Sequence, residues 1–368
     1  MARPHKLLRD ARGRIDLKCL DRDGLTEFMA ELGEPADRAL RVYKWIWQKG
    51  ARTFAEMEGV AGATRRKLDE VAYLSFLEPA LVLRSVDGTV KYLWKLEDGY
   101  TIESVLIPDG DRVTLCMSSQ VGCAMACTFC LTGDLGLKRH LKVSEIANQA
   151  LQVGLQADRI TNIVMMGMGE PLHNLDALCD ALRICLDDHA RNFSHRRITV
   201  STVGLVPQMR ELAERLPVNL AVSLNSTTEE HRRQIMPITK KYSMAELLQA
   251  CREVPLPSGK RIAFEYVMFE GENDTLEHAD QLLELLSDVP AKVNLIPYNV
   301  NPERDIGRPG YARVKAFQHH LVTNGMSTTI RTTRGTDISA ACGQLGKAWE
   351  QAADRGWLEE ARRLAGVS

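Results

Sequence analysis

The sequence predicts an α/β protein: a partial (βα)6 barrel joined to a small helical N-terminal domain and a β-meander extension. Three observations carry this expectation. Residues 24–75 place apolar side chains at helical spacing, in segments closed by glycine. Residues 81–118 alternate with period two and are punctuated by Asp-Gly at 87–88, 98–99 and 109–110, which is hairpin chemistry. From Arg112 onward, apolar strand-like runs alternate with amphipathic helical segments, the pattern of a parallel sheet covered by helices.

The N-terminal helices are read in "LTEFMAELG", "ADRALRVYKWIWQKG" and "TRRKLDEVA", after a basic arm over residues 1–16. Trp45 and Trp47 lie two apart, so on a helix one enters the core and the other anchors at the surface. The last meander strand, Arg112–Ser118, runs into a cysteine loop. Strands then follow at "TNIVMMG", "RITVSTVG", "VNLAVSLN", "RIAFEYVMF" and "KVNLIPYN", each preceded by a helical segment. That makes six strands counted from Arg112, with Ser327–Arg334 as a candidate seventh. Six or seven is fewer than a closed eightfold barrel needs. No glycine fingerprint for a dinucleotide follows the first strand. The expected domains are a helical accessory unit over 1–80, the meander plus barrel over 81–350, and a helical tail over 351–368.

Lys and Arg total 47 against 48 Asp and Glu, a formal net charge of −1, so a nucleic-acid surface must be a local patch. Candidate patches are Lys138–Arg139–His140, His195–Arg196–Arg197, His231–Arg232–Arg233 and Lys240–Lys241. Nine cysteines in 368 residues do not make a disulfide scaffold; their clustering suggests a reducing compartment and a metal. The N-terminus "MARPHKLLRDARGRID" lacks an apolar core, and no run approaches a membrane span. A cytoplasmic monomer with no membrane partner is expected.

The loop "SSQVGCAMACTFCLTGDLG" holds Cys123, Cys127 and Cys130 as C-x3-C-x2-C. A structural zinc site takes four ligands, often in two distant pairs. A cubane iron–sulfur cluster needs one external ligand per iron, so three cysteines leave one iron open for a small molecule. A zinc site completed by Cys116 or a distant residue is the alternative. Further polar groups fall at strand ends, where a barrel gathers its ligand site. These are Gly169 and Glu170 in "MMGMGEP", Ser201 in "TVSTVG", Ser223 and Asn225 in "AVSLNS", and Asn299 in "NLIPYN".

The cysteine motif, with Phe129 before its third cysteine, resembles the radical S-adenosylmethionine (SAM) superfamily. "SSQVGC", "MMGMGEP", "VNLIPYN" and "RGTDISAACGQL" resemble, more narrowly, the dual-specificity 23S rRNA and tRNA adenine-C2 methyltransferases, from the helical N-terminal unit to Gly346. The resemblance implies a radical SAM barrel with a [4Fe-4S] cluster on Cys123, Cys127 and Cys130. It implies SAM contacts from Gly169, Glu170, Ser201, Ser223, Leu224, Asn225 and Asn299; Asn225 stands where some members carry His. It also implies 23S rRNA and tRNA as substrates, the tRNA base lying next to the anticodon. The N-terminal unit would dock RNA, and flavodoxin or ferredoxin would donate electrons. The related methyltransferases that act on carbon 8 of the same rRNA adenosine share the cluster and the cysteines. A zinc-stabilised RNA-binding protein without catalysis is the non-enzymatic alternative.

Carbon 2 of adenine is not a nucleophile, and the family's route to it is a methylated cysteine. By the resemblance, Cys342 in "ISAACGQL" carries the methyl group, Cys116 is its transient disulfide partner, and Glu103 in "TIESVLIPD" accepts the carbon-2 proton. Pairing "TIESVLI" with "RVTLCMS" across a loop at 108–111 places 107 opposite 112 and Glu103 opposite Cys116. Partial burial beside Val105 and Ile107 would strengthen Glu103 as a proton acceptor.

Overall fold

The computed structural model describes residues 9–346, apart from 158, 257–258 and 302–303. The expected tail over 351–368 and the first half of the basic arm lie outside the described residues.

Three helices, α1 (Arg22–Glu31), α2 (Ala36–Trp47) and α3 (Gly62–Val71), build the N-terminal unit. Asp21 caps α1 by accepting from the Gly24 amide at 2.9 Å. Ile15–Asp16 pairs in parallel with Ala72–Tyr73 and closes the unit. Trp47 is wholly buried, while Trp45 stays at the rim and donates its ring N–H to Glu58 O at 3.0 Å. The unit is packed onto the rest of the chain: its apolar residues belong to the same core cluster as the barrel.

One ten-stranded sheet follows, and its spatial order is the chain order. The strands are β1 (Glu78–Arg84), β2 (Val90–Lys95), β3 (Thr101–Asp109), β4 (Arg112–Cys116), β5 (Asn162–Met165), β6 (Ile198–Thr202), β7 (Asn219–Ser223), β8 (Ile262–Met268), β9 (Ala291–Pro297) and β10 (Thr328–Ile330). Pairing from β1 to β4 is antiparallel and from β4 to β10 parallel. The sheet does not close, and the seventh parallel strand expected after 327 is present, though short. Helices α4 (Val143–Gln156), α5 (Leu175–Leu186), α6 (Val206–Arg215), α7 (Met244–Glu253), α8 (Leu276–Leu285) and α9 (Tyr311–Thr323) fill the crossovers. Side chains alternate across each strand. On β8, Ile262, Phe264 and Tyr266 are wholly buried, while Ala263 and Glu265 line the lumen.

One expectation is corrected. The β3–β4 turn is only Gly110–Asp111, so Asp109 pairs with Arg112 and Val105, not Glu103, lies opposite Cys116. Gly110 takes φ +56°, which permits the tight turn, and Pro108, with no N–H to give, does not stop the pairing. The slip is two residues. Because the strand period is also two, Glu103 keeps its face and becomes a diagonal neighbour of Cys116.

Candidate active site

The cysteine loop leaves the end of β4 and is stitched to the C-terminal loop. Leu131 N–H donates to Gly343 O at 2.9 Å, and Thr132 Oγ1 donates to Leu345 O at 2.8 Å. Gly343, at φ +84°, bends the chain just after Cys342. Cys123, Cys127 and Cys130 influence one another electrostatically, and burial drives all three thiols upward, Cys123 to about 12. Phe129 packs on Phe269 with ring centroids 5.4 Å apart, in an apolar cluster that also holds Cys127 and Tyr298. Among the described residues no group of three His, Cys, Asp or Glu is disposed to hold one metal ion. A cubane asks for something else, one thiolate per iron, and three mutually interacting soft donors on one loop fit it.

The strand-end residues do gather. Gly169 sits at φ +98°, and a Cβ there would lie 2.5 Å from Gln120 Cβ, so only glycine fits. The Glu170 amide donates to Gln120 Oε1 at 2.8 Å. The Glu170 carboxylate accepts from Val203 N–H at 2.9 Å and Leu172 N–H at 3.1 Å; burial nonetheless lifts it to about 7. Ser201 lies on β6 and Ser223 ends β7, both half-buried, followed by buried Leu224 and Asn225. Asn225 adopts φ +58°, an uncommon conformation that Asn tolerates better than most residues, and its Oδ1 accepts from Val267 N–H. Asn299 also reaches the C-terminal loop: its Nδ2 donates to Cys342 O at 3.0 Å, and Thr333 Oγ1 donates to its Oδ1 at 3.0 Å.

Arg232 is a second correction. Its sequence neighbours His231 and Arg233 suggest a basic patch for RNA, yet it is 1% exposed. Its guanidinium donates to Leu224 O, Val203 O and Ser223 O, at 3.1, 2.7 and 3.1 Å, clamping the ends of β6 and β7. Arg139 is likewise paired, with Glu145 and Asp98. Arg196, Arg197, Lys240 and Lys241 remain exposed.

A cavity of about 850 Å³ opens into the lumen, and both Cys116 and Cys342 line it, with Met166, Glu265, Asn294 and Arg331. That volume falls in the range that holds a small ligand or a nucleobase. Of the expected SAM contacts only Asn299 reaches this cavity. Its outer walls carry Arg112, Arg196, Lys260, Arg261, Lys292 and Arg334. All nine cysteines are free thiols.

Glu103 is buried beside the same loop. Its Oε1 accepts from Gly346 N–H at 2.8 Å, and its Oε2 lies 3.3 Å from Lys91 Nζ, which also donates to Ser339 O at 3.1 Å. Sequence reasoning missed Lys91, Arg232 and Arg331. Lys91 stands in period two with Leu93 in "VKYLWK", and a lysine in register with an apolar strand face is the signal that could have singled it out.

Comparison with known proteins follows the same lines. Residues 117–286 match the radical SAM superfamily, and residues 15–74 match the ribosomal RNA large subunit methyltransferase N-terminal domain. The dual-specificity RNA methyltransferase RlmN of Pelobacter propionicus is 52% identical over 90% of this chain and 96% of its own length. The RlmN of Geobacter sulfurreducens is 51% identical over 90% and 92%. The crystal structure of a radical SAM methyltransferase from Sphaerobacter thermophilus superposes with a TM-score of 0.84 at 40% identity, covering 90% of this chain and 98% of that one. With relatives this similar along almost the whole chain, and the cysteine loop at the mouth of an open barrel, the protein belongs to the RlmN family of radical SAM RNA methyltransferases.

Proposed function

We propose that the enzyme methylates carbon 2 of adenosine in 23S rRNA and in tRNA next to the anticodon, through a methylated Cys342 and a transient protein–RNA thioether. The observation that carries this reading is the shared cavity: two free thiols from distant parts of the chain line one base-sized space. Cys123, Cys127 and Cys130 would hold the [4Fe-4S] cluster. Gly169, Glu170, Ser201, Ser223, Leu224, Asn225 and Asn299 would hold SAM. When bound, these groups supply the methyl group and a hydrogen-abstracting radical.

The protein's own residues do the rest. Cys342 presents the methyl carbon to the base. Glu103 takes the carbon-2 proton, and the one electron that the radical adduct gives up would return to the cluster that Cys123, Cys127 and Cys130 would hold, leaving a closed-shell thioether. Lys91 balances the buried carboxylate. Cys116 then attacks the Cys342 sulfur and leaves a disulfide. The cationic outer walls of the cavity attract phosphates, the unit over residues 1–80 docks the RNA, and flavodoxin or ferredoxin delivers electrons to a monomer. Among the described residues no helix is long and apolar enough to cross a membrane.

The test is mass spectrometry of 23S rRNA and tRNA from a strain lacking the gene, with and without complementation. 2-Methyladenosine should disappear from both RNAs and return with the gene. Loss of 8-methyladenosine instead would overturn the position assigned.

A further inference from the structure

A buried thiol is a poor nucleophile, because the thiolate is the reactive form. Cys116 is 4% exposed, and burial pushes it up to about 12, with Cys342 adding to the shift. Two groups oppose this, the Arg331 guanidinium and the Met166 backbone, and only the first carries a charge. Arg331 follows β10 and is anchored by its own amide, which donates to Leu295 O at 2.8 Å. Its Nη1 lies 3.5 Å from Met166 Sδ, and its side chain lines the cavity with both thiols and Glu265. The guanidinium is held charged by Cys342 as a free thiol, and by Glu265 and Cys116, which remain its partners once Cys342 is a neutral thioether. Glu265 is itself buried, and its Oε2 accepts from Asn294 Nδ2 at 2.9 Å. Burial raises its carboxyl above the usual range, which weakens its claim on the guanidinium charge. Lys would not serve equally well, since a buried ammonium gives up its proton whereas a guanidinium does not.

We propose that Arg331 is a positioning residue for the last step of the reaction: it supplies the positive charge under which Cys116 attacks the Cys342 sulfur. This rests on the thioether route given above. The attacking lone pair of Cys116 forms the S–S bond. The bond from Cys342 sulfur to the methylene carbon breaks, and its electron pair goes to that carbon, delocalised into the adenine ring. A proton from solvent completes the methyl group, matching the proton Cys116 released. No outside oxidant enters this step.

Cys116 shares the cavity with Cys342 on the C-terminal loop, Arg331 and Glu265 on β8, with Arg112 and Lys292 also in its lining; Glu103, paired with Lys91, is its diagonal neighbour on β3. The experiment uses the cluster-loaded full chain with tRNA under single-turnover conditions, comparing Arg331→Gln, Arg331→Lys and Cys116→Ala. Arg331→Gln should form the covalent adduct at a normal rate and resolve it at least about tenfold more slowly at pH 7, because less of the thiol is ionised without the guanidinium. Raising the pH should speed resolution in both proteins, and the variant should stay slower than wild type until the wild-type thiol is fully ionised. Arg331→Lys should recover part of the rate. Adduct formation itself reports a folded, loaded enzyme. Resolution by Arg331→Gln at the wild-type rate with the wild-type pH profile overturns the proposal. So does failure of both Arg331 variants to form adduct, which would place the residue earlier in the reaction. Cys116→Ala separates the two levels: if it turns over freely, the thioether route itself fails, whatever Arg331 does.

Discussion

Replacing Lys91 with Met tests how the C-terminal loop is held over the barrel. Lys91 and Glu103 are each 1% exposed, diagonal neighbours on one face of β2 and β3, with Nζ and Oε2 3.3 Å apart. Together they grip the loop, Lys91 through Ser339 O and Glu103 through Gly346 N–H. Removing one partner of a buried pair costs about 3–5 kcal/mol, because the other charge stays behind. Met nearly conserves the volume, so little cavity term adds. The Gly346 amide continues to stabilise the carboxylate, which places the loss near about 3 kcal/mol. Urea denaturation at pH 7, followed by tryptophan fluorescence, reads it, and limited proteolysis within 335–346 should speed up in parallel. The double variant Lys91→Met/Glu103→Leu should regain most of the loss, since an apolar pair replaces an ionic one. A single-variant loss below about 1 kcal/mol, or a double variant no better than the worse single one, would refute the reasoning.

Other expectations follow from the same geometry. Changing Cys123, Cys127 or Cys130 to Ala should abolish iron binding on anaerobic reconstitution and all methyl transfer, with far-ultraviolet dichroism unchanged; full iron content in any of the three would remove that residue from the cluster. Glu103→Gln should still form the adduct but release methylated RNA slowly, and product at the wild-type single-turnover rate would show that Glu103 is not the base. Lys18 is wholly buried, 3.0 Å from Asn148 Oδ1 and 4.1 Å above the Phe76 ring, and burial lowers it from 10.5 to about 7. Between those values the unfolded chain binds the extra proton, so stability should rise as pH climbs from about 7 toward 10.5 and fall on the way back. The rise should be about 1 kcal/mol per pH unit and absent in Lys18→Met; parallel pH profiles for the two proteins would contradict it.

The sequence was informative where structure is local and periodic. The Asp-Gly pairs and the two-residue alternation yielded the meander, and the βα alternation yielded an open barrel. The β3–β4 register slipped because a two-residue and a four-residue turn both suit "IPDGDR", yet the face of Glu103 survived since the slip was even. Charge patterns misled where tertiary contacts decide. Arg232 reads as a surface cation beside His231 and Arg233, but carbonyls at the ends of two strands and the turn after them require a buried donor there. The hydrogen bond from Asn299 to the Cys342 carbonyl spans 43 residues, a pairing no local pattern contains. Arg331 was invisible for the same reason, since its meaning comes from a cavity shared by β4, β8 and the C-terminal loop.

The most direct test of the two-thiol account is the intact mass of Cys116→Ala and Cys342→Ala after turnover with tRNA and SAM. The account gives them opposite fates. Cys116→Ala should carry RNA covalently through Cys342, as a denaturation-resistant species that ribonuclease trims to one nucleotide. Cys342→Ala should carry neither methyl nor RNA. Identical behaviour, both crosslinked or both clean, would contradict the assignment of the thiols and with it the route through a methylated cysteine.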